Sequence, residues 1–455
     1  MSVNVSNWYA RWRDSTLVRP RLQSIGHLLS GSVANALIML AGAAIAARAL
    51  GPAAYGVMAL VLTVGRVSER LVRFESWQPL IRFAAQEGVS SDPQRMSQLY
   101  LYGLILDIVG ALLAAFISII LVLFFASLIH LESNDIWLVA IYAIAIAVNV
   151  RGMPTAALRM DGSFRQLAYF QMVSSVLRVI LAYICMQQAI GIYGFMIVWT
   201  VAQIFDSMLM LALGFRALRK NNIPNPLRAD FRSMKQNFPG FLSFAWSTNL
   251  SSTLRTMTQE ADTLLVGALA GTPAAGMYHI AKRMAKVAQQ GGGHVQTVMY
   301  PDMSRIWAAG NIKRFRRMTV QIQAALATFA VSMILVTWLG GEWLIRVGFG
   351  ADYNEAYPLL MTQLIAVGLI LHAAPSRSAM LAMNQPKLVL WIALLSTIVF
   401  FGVAALVMPT YGALGANIAH IGFAGVSAIL MDYFWLSGSR KAQQLAATPQ
   451  PVSGG

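Results

Sequence analysis

Leu99–Phe124 reads LYLYGLILDIVGALLAAFISIILVLF, with Asp107 as its only charged residue. A helix needs about twenty apolar residues to cross hydrocarbon. No water in the bilayer core satisfies exposed backbone groups, so such a run is a helix and not a strand. The same reading, carried outward from this stretch, gives spans over 25–47, 53–74, 99–124, 136–157, 166–187, 192–213, 239–269, 275–299, 319–339, 357–374, 388–407 and 412–435. The composition agrees: 57% of the 455 residues are hydrophobic, 11% are charged, and mean hydropathy is +0.60. A soluble chain is closer to about 25% charged. The expected fold is an all-α polytopic membrane protein of about twelve transmembrane helices.

The net charge of +16 raises nucleic acid as a partner. The placement of Lys and Arg argues against it. Loops after even-numbered helices are basic: Arg82 and Arg95 in 75–98, Arg305, Lys313, Arg314, Arg316 and Arg317 in 300–318, Arg377 and Lys387 in 375–387. The 214–238 connector has Arg216, Arg219, Lys220, Arg228, Arg232 and Lys235. Segments 130–135, 188–191, 270–274 and 408–411 have no Lys or Arg, and in 340–356 Arg346 stands against Glu342, Asp352 and Glu355. The positive-inside rule places both termini in the cytosol. A long polar lead with Arg11, Arg13, Arg19 and Arg21 precedes Ile25–Ala47, so that run reads as a retained first helix and not a cleaved signal. Cys185 is the single cysteine, which excludes an internal disulfide and a multi-cysteine metal site. The chain has no His-Glu-x-x-His and no P-loop, so no metal site, cofactor or catalytic residue is expected.

The halves repeat. ALGPAAYG at Ala49–Gly56 has a counterpart in LAGTPAAG at Leu269–Gly276. Pro52 and Pro273, Pro79 and Pro301, and Pro154 and Pro375 stand about 221 residues apart; Tyr193-Gly194 and Tyr411-Gly412 are similarly spaced. The organisation read from this is an N-terminal tail over 1–24, a six-helix bundle over 25–213, a basic connector over 214–238, a second bundle over 239–435 and a tail over 436–455. Two parallel repeats of this kind are a transporter signature.

Charges inside spans are costly and are functional candidates by default. Arg66, Arg70 and Arg73 share one face of the second helix. Lys282, Arg283 and Lys286 lie in its repeat partner, Arg255 in the seventh helix and Arg178 in the fifth. Arg66, Arg255 and Lys286 each lie roughly 20 Å below the outer helix ends. Cations at similar depth on different helices fit an anion-binding cavity. The competing reading is that they snorkel to headgroups, and for Arg70 and Arg73 the two stand even, with Glu69–Arg73 a favourable i,i+4 pair. Of the acids, Asp107, Glu260 and Asp262 are candidates for ion coupling or for pairing, and Asp206 leans to pairing. His27, His279, His294, His372 and His420 are scattered and read as packed residues. Gly291–Gly293 reads as a bend.

Three stretches carry a resemblance. IAARALGPAAYGVMALV at Ile45–Val61, EADTLLVGALAGTPAAGMY at Glu260–Tyr278 and FGADYNEAYPLL at Phe349–Leu360 resemble polysaccharide flippases of the Wzx type, in the multidrug/oligosaccharidyl-lipid/polysaccharide exporter superfamily. The resemblance implies a V-shaped pair of bundles around a cationic cavity, alternating access, and transfer of undecaprenyl-pyrophosphate-linked oligosaccharide between leaflets of a bacterial inner membrane. The cargo would serve exopolysaccharide or O-antigen (lipopolysaccharide) assembly, with a polymerase and export machinery as candidate partners and a proton or sodium ion as candidate coupling ion. Arg66, Arg70, Arg178, Arg255, Lys282, Arg283 and Lys286 would then hold the pyrophosphate; that assignment rests on depth and spacing. The alternatives are a drug/cation antiporter, a lipid II flippase with extra helices, and a polymerase or ligase, which needs a larger outer loop than 340–356.

Overall fold

The computed structural model describes residues 18–73, 76–86, 89, 92–232, 234–293 and 295–447; within these, the side chains of 18–30, 168, 248, 250–258, 291–298, 301 and 445–447 are outside the description. Among the described residues every regular element is a helix. The principal helices are α1 (Val18–Val72), α2 (Trp77–Ala84), α3 (Pro93–Phe125), α4 (Ile136–Ala147), α5 (Gly152–Met160), α6 (Phe164–Gln187) and α7 (Gly191–Lys220). They continue with α8 (Phe241–Gly293), α9 (Val295–Ala308), α10 (Ile312–Phe349), α11 (Ala356–Ala382), α12 (Pro386–Tyr411) and α13 (Ala413–Ala447).

Ten helical segments among the described residues are long and apolar enough to cross a membrane. Two of these, Gly31–Ala84 and Gln259–Gln290, run through kinks. Gly51 interrupts α1 at φ 72°, ψ 171°, and Gly271 interrupts α8 at φ 83°, ψ 176°. Only glycine occupies that region readily. A proline follows each kink, Pro52 and Pro273, inside the first turn of the continuing helix, where its missing N–H costs nothing. Dividing α1 and α8 there gives the twelve crossings expected.

Two compact units divide between Leu264 and Leu265. In the first, α1 packs on α3, α4, α6 and α7, and its core includes Leu80, Phe83, Tyr100, Met153 and Met210. The start of α8 joins this unit: Phe241 stacks on Tyr102 at 4.5 Å and meets Phe83 edge-on at 5.5 Å. In the second, α11 packs on α9, α10 and α13, and α13 packs on α12, around Met303, Phe315, Met380, Ile392 and Trp435. Large apolar side chains point outward, among them Phe124, 76% exposed, Leu339, 77%, and Leu406, 80%. Such surfaces would aggregate in water and are ordinary contacts in a bilayer.

The structure corrects the sequence reading in four places. The span expected as one helix over 136–157 is broken: α4 ends at Ala147 and α5 begins at Gly152. Hydropathy misses the break because apolar residues flank it on both sides. The segment expected as a loop over 75–98 contains α2, an amphipathic helix that buries Pro79, Leu80, Phe83 and Ala84. Gly412, at φ 52°, matches Gly191, at φ 76°, and not Gly194. Gly291–Gly293, expected to bend, are helical to the end of α8, and His294 beyond them lies outside the described residues.

Candidate functional site

Arg66 lies on α1 beyond the Gly51 kink, and its Nε donates to Glu260 Oε2 at 2.9 Å. Its second guanidinium arm donates to Thr63 Oγ1 at 2.7 Å, and Thr63 in turn donates to the Ala59 carbonyl. The two side chains are 30% and 14% exposed, so the pair is partly shielded. Asp262, two residues on, is fully buried and accepts from the Thr263 backbone N–H at 2.5 Å and its hydroxyl at 3.1 Å. A cation and an acid chosen separately from the sequence are therefore partners.

A second network lies in the same unit. Its backbone is the break between α4 and α5, residues Val148–Arg151. Asn149 donates to Glu69, which also holds Arg73 at 3.5 Å. Arg151 Nε donates to Asn149 at 2.9 Å, and its other arm pairs with buried Asp206. Ser174 donates to Asp206 at 2.7 Å, and Ser207 to Asn149 at 3.2 Å. Asp107 closes the break from below. It accepts from the Ser76 hydroxyl and from the Met153 backbone N–H, both at 2.6 Å. A carboxylate at a helix N-terminus satisfies orphan donors and favours the dipole; here it does so for α5. Irregular backbone at membrane depth is tolerated where protein groups satisfy it, and this network supplies those groups.

The remaining sequence candidates fall elsewhere. Arg178 is buried, with its guanidinium 5.4 Å from the Trp199 ring. Arg70 is exposed. The side chains of Arg255 and His27 lie outside the description. In the second unit, Lys282 and Arg283 are half-buried and Lys286 is exposed, on one stretch of α8 beyond Gly271. Arg283 Nε donates to buried His279 at 3.4 Å. At the end of α7 an open cleft of about 620 Å³ is lined by Ala212, Phe215, Arg216, Arg219 and Lys220. Among the described residues no cluster of three or more His, Cys, Asp or Glu could hold a metal ion.

Sequence reading missed Asn149, Arg151 and Asp432. Arg151 and Asp432 each lie inside a span as expected above, so the rule that flagged Arg66 flags them too. Asn149 gave no signal, because its importance comes from the break beside it.

Twelve apolar crossings that enclose Arg–Glu and Arg–Asp pairs define a multi-pass membrane protein with charged pairs inside its spans. Comparison with known proteins agrees. Residues 45–358, more than half of the chain, match the family described as polysaccharide biosynthesis protein, and the chain belongs to that family. The Escherichia coli inner membrane protein YghQ is 26% identical over 359 residues, covering 78% of this chain and 99% of YghQ. Among solved structures, the lipid II flippase MurJ in an inward closed conformation superposes with TM-score 0.67 at 14% identity, covering 92% of this chain and 93% of MurJ. An inward-facing multidrug resistance MATE family transporter of the MOP superfamily gives 0.65 at 13% identity, covering 93% of this chain and 96% of the transporter. At those identities the structures share the fold. The chain is a multi-pass membrane protein of a polysaccharide-biosynthesis family, with the fold that the MurJ and MATE structures share.

Proposed function

We propose that the chain flips an undecaprenyl-pyrophosphate-linked oligosaccharide from the inner to the outer leaflet of a bacterial inner membrane, by alternating access, for exopolysaccharide or O-antigen assembly. It acts as a carrier and not as an enzyme. The observation that carries the reading is a set of Arg and Lys side chains inside the membrane helices of a polysaccharide-biosynthesis family member. A pyrophosphate carries about two negative charges and cannot enter hydrocarbon unpaired. Arg meets phosphate oxygens through a planar fork, and Lys adds a mobile point charge. Arg66, Arg70, Arg178, Arg255, Lys282, Arg283 and Lys286 are the proposed contacts. Arg66 is held by Glu260, so an incoming headgroup exchanges with that carboxylate. Several moderate contacts of this sort let the headgroup leave again. Asp107, Glu260 and Asp262 are the proposed acids for coupling to a proton or sodium ion; the bonds made by Asp107 favour a supporting role for it.

A drug/cation antiporter would need an acidic or apolar pocket to receive cations, and the candidates here are basic. Twelve crossings argue against a lipid II flippase with extra helices. The test is polymer export in a deletion strain complemented with Arg66→Ala, Arg255→Ala or Lys286→Ala, normalised to protein in the membrane. Each should lower export, and Arg255→Lys should retain more than Arg255→Ala. Normal export from all three alanine variants would sink the reading, and the lipid-linked intermediate that accumulates names the cargo. Both termini are proposed to be cytosolic. Reporters in 214–238 and after Arg440 should then report cytosol, and those in 188–191 and 340–356 periplasm.

A further inference from the structure

Inside the second unit, α10, α11 and α13 converge on Asp432. Its Oδ1 accepts from Gln323 Nε2 at 2.9 Å, from Trp435 Nε1 at 3.2 Å and from the Ser376 hydroxyl. Gln323 also donates to Ser376 at 2.8 Å. Its Oδ2 lies 2.9 Å from His372 Nε2. His372 and Ser376 are one turn apart on α11. Ser376, Gln323 and Trp435 are buried, whereas the His372 and Asp432 side chains are 36% and 28% exposed. Three donors are therefore fixed and dry, and the fourth is accessible.

The first unit builds a similar pairing from a different base. Arg151 and His372 stand about 221 residues apart, the offset that relates Pro154 to Pro375. Asp206 is on the sixth crossing of its half and Asp432 on the sixth of the other. Each acid thus pairs with a base from the fourth crossing of its own half. A guanidinium stays protonated at every physiological pH, whereas imidazole is the side chain that gains or loses its proton there.

The other ionisable groups on the packed elements leave Asp432 to His372. On α9, Asp302 and Arg305 pair with each other at 2.9 Å. On α10, Arg316 bonds Gln443 and Arg317 lies about two turns before Gln323. Arg377 follows Ser376 on α11, Lys387 opens α12, and His420 and Arg440 lie turns away from Asp432 on α13. Among the described residues, His372 is the one ionisable side chain bonded to the Asp432 carboxylate.

We propose that the His372–Asp432 pair is a proton-binding site of the second half. With Nε2–H donated to Oδ2, the proton binds at Nδ1: hydronium gives up a proton, water leaves, and no electrons move. The pair passes from a net charge of −1 to 0. The protonated form joins α11 to α13 by a hydrogen bond between two opposite charges, and the deprotonated form by a weaker one in which only the Asp432 carboxylate is charged. Proton occupancy therefore sets how tightly Asp432 ties the three helices together. The site rests on the transporter class alone and not on the cargo proposed above.

Two measurements on the full chain in lipid nanodiscs, without cargo, test it. The first follows imidazole resonances of histidine-labelled protein from about pH 5 to 9. One resonance, absent from His372→Gln, should titrate, and its midpoint should fall in Asp432→Asn, where the carboxylate that favours the cation is gone. The second compares thermal midpoints of wild type and His372→Arg, which installs a permanent cation as at Arg151. Relative to that variant, wild type should lose about 2–4 °C as pH rises through the histidine range. Parallel midpoint curves, or a His372 resonance that does not move with pH, would overturn the proposal and leave the pair a structural contact. The resonance arm uses folded wild type, so a variant that fails to fold does not shield the idea.

Discussion

Gly152 shows how one missing side chain shapes the first unit. A Cβ there would lie 1.9 Å from Ser76 Oγ and 2.5 Å from Asp107 Oδ1. The absence of that carbon lets the carboxylate reach the Met153 N–H and close the start of α5. Gly152→Ala must move Ser76 or Asp107 or push α5 away. Overpacking of this kind costs about 1–3 kcal/mol, and here it also strands a buried carboxylate. We expect a lower thermal midpoint in detergent or nanodiscs. Gly402, in α12, is the control. A Cβ there meets nothing within 4 Å, and Gly to Ala in a helix interior is neutral to favourable by up to about 1 kcal/mol. If Gly152→Ala melted no lower than Gly402→Ala, the clamp would not carry weight in the fold.

Among elements, the fourth crossing separates what hydropathy reads from what it cannot. Ile136–Ala147 and the residues after Gly152 are apolar, and averaging across them hides a short interruption. Twelve crossings were legible because the bilayer demands long apolar runs. The Gly51-Pro52 and Gly271-Thr272-Pro273 positions were legible as boundaries between crossings and as repeat landmarks, while the continuity of each helix through its kink was not. The pairs Arg66–Glu260, Arg151–Asp206 and His372–Asp432 were not, since each joins residues from different crossings. Sequence marks such residues as costly without naming their partners. The Arg151–Asp206 pair then yields an element-scale test. Arg151→Met leaves Asp206, with its side chain only 5% exposed, without its cation. Breaking one side of a buried pair costs about 3–5 kcal/mol, while replacing both by apolar groups is often neutral. Arg151→Met should therefore destabilise more than Arg151→Met with Asp206→Leu, read as thermal midpoints. Equal loss in the two would show that Asn149 and Ser174, and not the ion pair, hold the break together.

At the scale of the whole molecule the repeat is written in the backbone. Four pairs of left-handed residues recur about 221 apart: Gly51 with Gly271, His130 with Gly350, Gly162 with Asn384, and Gly191 with Gly412. They mark the ends and kinks of corresponding crossings, so the two halves share a path. They differ where chemistry differs: the first half breaks its fourth crossing around Arg151, while α11 continues through Pro375 with His372 in its place. If the shared path is a requirement of the fold, its two kinks should be equally intolerant of a side chain. Gly51 has nothing within 4 Å of a Cβ, and Gly271 has only Pro273 Cδ at 3.8 Å, so packing offers no objection to alanine at either. The objection is torsional. At φ 72°, ψ 171° and φ 83°, ψ 176° a residue with a Cβ is strained by about 1–3 kcal/mol. Gly51→Ala and Gly271→Ala should lower the thermal midpoint by similar amounts, and the double variant by their sum, since no side-chain partner is shared. A kink that accepted alanine freely while its counterpart did not would mean that the halves follow one path by different local rules.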